Sequence, residues 1–142
     1  CEDVARMGGL TVVTTDRAPA GATPHDALVR LDERTLYGRG LAYEDLVRAV
    51  DVVLTKPGYG IVSECAANGT ALLYTSRGHF IEYDVFVTGM PSVVRCRFLP
   101  QESLYAGRWR DAVEALLAQA PPSGRPGFDG VEVAVNRILE LE

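Results

Sequence analysis

Basic side chains are in short supply in this 142-residue chain: fourteen, against nineteen acidic ones, leave a formal charge of -5. No lysine- or arginine-rich block supplies the phosphate contacts that nucleic acids demand, which argues against nucleic acid as a partner. Cysteine is equally sparse. Cys1, Cys65 and Cys96 are odd in number and lack C-x-x-C spacing, so neither a disulfide framework nor a zinc site is indicated, and a reducing, cytoplasmic setting fits. Long apolar runs are missing too, since nothing approaches the roughly 18 residues of a membrane span. No charged stretch followed by an apolar one opens the chain as a leader would. There is no internal repeat and no low-complexity tract. The first residue is Cys1, not Met, which reads as a piece of a longer protein whose beginning lies elsewhere.

What is present is a globular composition, 47% hydrophobic and 23% charged. That suffices for one compact domain, 1–142, and leaves no room for a second. Apolar runs alternate with segments of helical spacing, the pattern of βα units around a parallel sheet covered on both faces. Leu10-Thr11-Val12-Val13-Thr14-Thr15 reads as a buried strand and Ala27-Leu28-Val29-Arg30-Leu31 as a weaker one. Between Leu41 and Val50 the apolar positions share one helical face. Asp51-Val52-Val53-Leu54-Thr55 is the clearest strand. A turn rich in glycine and proline follows, then a helix from about Tyr59 to Asn68 with Gly69 as its left-handed cap, and a strand at Ala71-Leu72-Leu73-Tyr74-Thr75. The segment 76–84 reads as a polar and aromatic loop, and 93–98 as an edge strand. The spacing of Leu104, Trp109, Ala112, Val113, Leu116 and Leu117 predicts one helix ended by Pro121-Pro122, and Val131, Val135, Ile138 and Leu139 mark one face of a last one.

In an open parallel sheet, ligands bind beyond the carboxyl ends of the strands. The stretch Lys56-Pro57-Gly58-Tyr59-Gly60-Ile61-Val62-Ser63-Glu64 stands at such an end. Gly58 and Gly60 would let the backbone approach a ligand and adopt angles other residues resist. The unpaired amides opening the next helix, at the positive end of its dipole, suit a phosphate, and Lys56 adds a charge. Glu64 lies about a turn further on, too close to bind the same anion. A carboxylate there suits sugar hydroxyls, as acidic residues serve the ribose of dinucleotides. Phosphate first and ribose second describe a nucleotide.

The stretch from Asp51 to Gly69, D-V-V-L-T-K-P-G-Y-G-I-V-S-E-C-A-A-N-G, resembles the donor-site signature of GT-B glycosyltransferases. It is most similar to the group holding the peptidoglycan N-acetylglucosaminyltransferases and the plant galactolipid synthases. The likeness runs loosely from about Leu10 to Leu141. It implies a Rossmann-like α/β domain, the C-terminal half of a GT-B fold, that takes a nucleotide-diphosphate sugar, a UDP-sugar above all, as substrate without a cofactor or a metal. Lys56, Gly58, Tyr59, Gly60 and Ile61 then fall at the diphosphate, Glu64 at the ribose and Tyr43 beside the base. His79, Glu82, Tyr83 and Asp84, in the loop that opens at Arg77, fall at the donor sugar.

The sequence also departs from that pattern. Ile61 replaces a hydroxyl-bearing residue, the glutamine pair of the sugar loop is absent, and no Gly-rich loop follows a first strand. The resemblance therefore implies a donor domain without its first strand and without the N-terminal acceptor domain, able to bind donor but not to turn over. Two other readings stand beside it. A non-catalytic nucleotide-sugar module is one, since the chain also resembles part of the plant arabinose kinases, in which such a domain is fused to a sugar kinase. A UDP-sugar 2-epimerase is the other, although its acidic and histidine constellation is not found here. Taken singly, Glu64 reads as an exposed helix carboxylate, His79 as a solvated loop residue, Tyr43 as a packing aromatic, and Cys65 and Trp109 as core.

Overall fold

A computed structural model describes residues 9–15, 27–78, 81–124, 127 and 129–140. The order of elements is β1 (Val12–Thr14), β2 (Leu28–Arg30), α1 (Glu33–Gly38), α2 (Tyr43–Ala49), β3 (Val52–Thr55), α3 (Tyr59–Asn68), β4 (Ala71–Tyr74), α4 (Tyr83–Gly89), a 3-10 turn (Met90–Ser92), β5 (Cys96–Phe98), α5 (Gln101–Tyr105), α6 (Arg110–Leu117) and α7 (Gly130–Leu139). The fold is α/β and Rossmann-like: β3, β4 and β5 form a parallel sheet, with β4 in the middle and helices on both faces. No described helix is long and apolar enough to cross a membrane.

The central strand is apolar on both sides because both sides are covered. Leu72 faces α2, α3 and α4, where it packs with Val47, Val62, Cys65, Met90 and Val94. Ala71 and Leu73 face the other way and pack with Leu99 and Leu116, bordered by Leu104, Trp109 and Val113 of the α5–α6 segment. Leu72 and Leu73 are fully buried, each contributing about 1.5–3 kcal/mol of apolar burial. The Thr70 hydroxyl, also buried, donates to the Val47 carbonyl at 2.8 Å and ties the end of α2 to the start of β4.

Helix α3 spans the residues the sequence predicts, and Gly69 closes it at φ 71°, the left-handed region that favours glycine. Three expectations need correction. The helix expected across 104–117 is two helices, because Gly107 turns the chain at φ 66° between α5 and α6, and the Trp109 indole N–H donates to the Leu104 carbonyl at 2.8 Å across the break. The expected single sheet is in two pieces: β1 and β2 pair in parallel with each other and with no other described strand. Helix α1 is an addition. Its start is fixed by Asp32, whose carboxylate accepts from the Arg34 amide at 2.9 Å, and Leu36 is its one buried side chain. In α7 the apolar face is present as expected, but all ten residues are exposed.

Candidate functional site

The carboxyl ends of β3 and β4 and the start of α3 converge at one place. Thr55 and Thr75 close the two strands side by side, the Thr75 amide donating to the Thr55 carbonyl at 3.1 Å. From there Lys56, exposed, leads through the buried Pro57 to Gly58, the N-cap of α3. Gly58 is extended (φ -158°, ψ 158°) and brings no side-chain cap. The first bond inside the helix is Val62 N–H to Gly58 C=O at 3.1 Å, so the amides of Tyr59, Gly60 and Ile61 precede the ladder at the positive end of a ten-residue helix.

Neither glycine of this turn is needed for its backbone angles, which corrects the expectation from sequence. Gly58 is extended and Gly60 is helical. Their small size has other consequences. A β-carbon on Gly58 would stand 3.1 Å from Arg77 Nη1, and one on Gly60 would meet nothing within 4 Å. Gly60 thus leaves the first turn of α3 bare, and Gly58 admits a guanidinium. That guanidinium also donates to the Pro57 carbonyl at 3.2 Å. Two cationic residues therefore flank the helix start, Lys56 from the end of β3 and Arg77 from the loop after β4.

Arg77 has no role in the sequence-based reading, which names only its loop. The signal available was its position. It follows the strand adjacent to β3, and the ends of neighbouring parallel strands share one rim.

On the far side, the Tyr59 hydroxyl donates to Glu82 Oε2 at 2.7 Å, and the Tyr59 ring lies 4.5 Å from that of Phe86. The accepted proton holds the phenol above its ordinary pKa, with slight burial and the Glu82 charge adding to the effect. Glu82 precedes α4, so the sugar-loop residue and the diphosphate residue of the sequence-based reading do meet. Tyr83 is half-buried and close enough to Tyr74 to help raise its pKa, after burial and Cys96. Asp84 is exposed in the first turn of α4. His79 lies outside the described residues.

Glu64 stands on α3 between these features and α2. Its Oε2 is shielded from solvent and has no hydrogen-bond partner among the described residues. Desolvation raises its carboxyl pKa, and the Glu44 carboxylate raises it further. The same Glu64 charge, second to partial burial, lifts the phenol of Tyr43. The structure thus brings the ribose and base candidates together on the facing sides of α2 and α3. Next to Glu64, the buried Cys65 thiol is pushed up to about 12, by burial first and by Glu64 second, and stays neutral. One more buried oxygen, Thr75 Oγ1, lacks a partner among the described residues.

A bare helix start flanked by two cations, with an unsatisfied carboxylate about 7.5 Å further along the axis (five residues at 1.5 Å each), can receive an anion at one end and hydroxyl donors at the other. Compared with known proteins, the chain matches no family model, no curated protein and no solved structure.

Proposed function

We propose that this chain is the donor-binding domain of a glycosyltransferase and binds a nucleotide-diphosphate sugar, with a UDP-sugar as the substrate class. The observation that carries the reading is Glu64: a carboxylate oxygen shielded from water and left without a donor among the described residues costs free energy unless a ligand satisfies it. A cis-diol is the simplest ligand that does so, since two hydroxyls can donate to one carboxylate.

The remaining residues follow from that placement. The diphosphate lies on the amides of Tyr59, Gly60 and Ile61, with Lys56 and Arg77 beside it, and the base lies against Tyr43. As the glycosidic bond to the nucleotide breaks, negative charge grows on the terminal phosphate. Amides fixed in a helix stabilise that charge without having to reorganise, and the two cations add to the effect. Glu82, oriented by Tyr59, faces the donor sugar. The acceptor and its activating base belong to a second domain of the same enzyme. The resemblance of 51–69 to the GT-B donor signature supports the same assignment.

The test is calorimetric titration of UDP, GDP, ADP and dTDP into the protein, repeated with Glu64→Ala. UDP is expected to bind most tightly, and Glu64→Ala to weaken it roughly tenfold to a hundredfold, as befits hydrogen bonds to a charged group. Absence of binding by all four nucleotides overturns the proposal. Binding that Glu64→Ala leaves unchanged overturns the ribose assignment.

A further inference from the structure

No described strand of one sheet pairs with a strand of the other, and the space between them has the dimensions and chemistry of a strand. Along β3, the amides of Ala71 and Thr75 donate to the carbonyls of Asp51 and Thr55. Odd-numbered positions of β3 therefore turn toward β4, and Val52 and Leu54 point their N–H and C=O groups the other way. In β1, Val12 donates to the Ala27 carbonyl and Thr14 accepts from the Leu31 amide, so both turn toward β2 and Val13 points outward. Between these outward edges runs an open cleft of about 740 Å³. Residues 11–15 line one wall and 50–54 the other, with Leu46 and Val47 of α2 on one face and Trp109 and Val113 on the opposite one.

A cleft of that size between two sheet edges leaves the facing side chains without the close packing of a folded domain. Two rows of backbone groups facing each other without partners among the described residues are foreign to the middle of a sheet. We propose that this slot is the seat of one additional β-strand, an extended segment of about five uncharged, β-branched residues that joins β1–β2 and β3–β4–β5 into one continuous sheet. The chemistry of the walls specifies the occupant. Its backbone must pair on both edges, with Val13 on one side and with Val52 and Leu54 on the other. Its side chains must be apolar on both faces, because α2 covers one and the α6 region the other. It carries no charge, since Asp51 is the single carboxylate on the lining.

The segments of this sequence outside the described residues do not meet that specification. The first eight residues, Cys-Glu-Asp-Val-Ala-Arg-Met-Gly, hold three charges. The segment 16–26, Asp-Arg-Ala-Pro-Ala-Gly-Ala-Thr-Pro-His-Asp, holds two prolines, which central strands exclude. Neither segment supplies five such residues in a row, so the proposed occupant is a strand from another polypeptide segment. The inference stands apart from the nucleotide reading, because neither its argument nor its test involves a nucleotide.

The probe is a synthetic heptapeptide, acetylated and amidated, with five valine and isoleucine residues between two lysines that keep it soluble. It is added to the full chain while amide hydrogen exchange is followed residue by residue, together with the fluorescence of Trp109, the one tryptophan present. Exchange at Val13, Val52 and Leu54 is expected to slow by at least about tenfold, and the Trp109 emission to move to shorter wavelength. The same peptide N-methylated at alternate residues, which cannot complete a ladder, is expected to do neither. Three results overturn the proposal: unchanged exchange at these amides, amides at Val13, Val52 and Leu54 already as slow in the free chain as Val53 and Thr55, or equal slowing at Cys96 and Phe98 on the outer edge of β5, which marks unspecific pairing.

Discussion

The Tyr59 hydroxyl and the Glu82 carboxylate, 23 positions apart in sequence, meet at 2.7 Å and join the first residue of α3 to the residue that precedes α4. This contact holds the start of α4 against the start of α3. Tyr59→Phe removes the hydroxyl and keeps the ring against Phe86, so the thermal midpoint should hardly move. Amide exchange in the first turn of α4 should quicken, and discrimination among donor sugars should fall. The Tyr59 phenol titration, followed by ultraviolet difference absorbance, should lie above the ordinary phenol value and should drop toward it in Glu82→Gln. A Tyr59 titration that Glu82→Gln leaves unchanged would remove Glu82 from this role.

Glu64 links stability to pH with a definite sign. Its folded pKa is raised, so the folded chain holds this proton more tightly than the unfolded one. The charged carboxylate thus weighs against folding at pH values above the raised pKa, and the penalty vanishes below the ordinary carboxylate pKa of about 4.3. Glu64→Gln should accordingly be more stable than the parent in denaturant titrations at pH 7, and the advantage should shrink to nothing near pH 4. Glu44→Gln should recover part of the same gain. In UDP titrations Glu64→Gln should bind more weakly. Gained stability with lost affinity identifies a carboxylate kept for a ligand; a gain that persists unchanged at pH 4 contradicts the assignment.

The two glycines of the turn separate packing from access. Gly60→Ala places a methyl group in open space on a helix, and should stabilise the free chain by roughly 0.5–1 kcal/mol. The same methyl stands where a phosphate would approach, so UDP binding should weaken. Gly58→Ala has no backbone strain to overcome and presses on the guanidinium of Arg77, which can move. Its stability should stay close to the parent's while its affinity falls as far as that of Arg77→Ala. Chemical denaturation and calorimetry on the three variants decide the matter.

Much of the site was readable in the sequence because it is local. Residues 51–69 carry strand, turn, helix and cap within 19 consecutive positions, and the pattern of one element predicts the next. What escaped is non-local. Arg77 reaches Pro57 across 20 positions, and no periodicity registers such a contact. The break at Gly107 was hidden because Leu104 and Ala112, eight positions apart, keep helical spacing while belonging to two helices. The division of the sheet was hidden because strand pattern says which residues are extended and not which edges meet. Helix α1 did have a signal, Asp32 ahead of Glu33 and Gly38 at the end, but its single buried residue gives no apolar period to detect.

A stability prediction away from the site concerns Gly124. Its amide donates to the Ser92 carbonyl at 2.8 Å, and a β-carbon there would stand 2.5 Å from that same oxygen. Backbone does not yield as a side chain does. Gly124→Ala should cost about 1–3 kcal/mol, read as a lowered denaturant midpoint, whereas alanine at Gly89, where nothing lies within 4 Å, should not.

The separation of the two sheets means that one unfolding free energy does not describe the whole chain. A two-stranded sheet of three-residue strands is marginal alone, whereas β3–β4–β5 is sealed between two helical layers. The β1–β2 ribbon should open as its own cooperative unit, well below the energy of global unfolding. Trp109, packed against the larger sheet, reports chiefly on that larger unit. A melting curve read at Trp109 would describe a chain already partly unravelled.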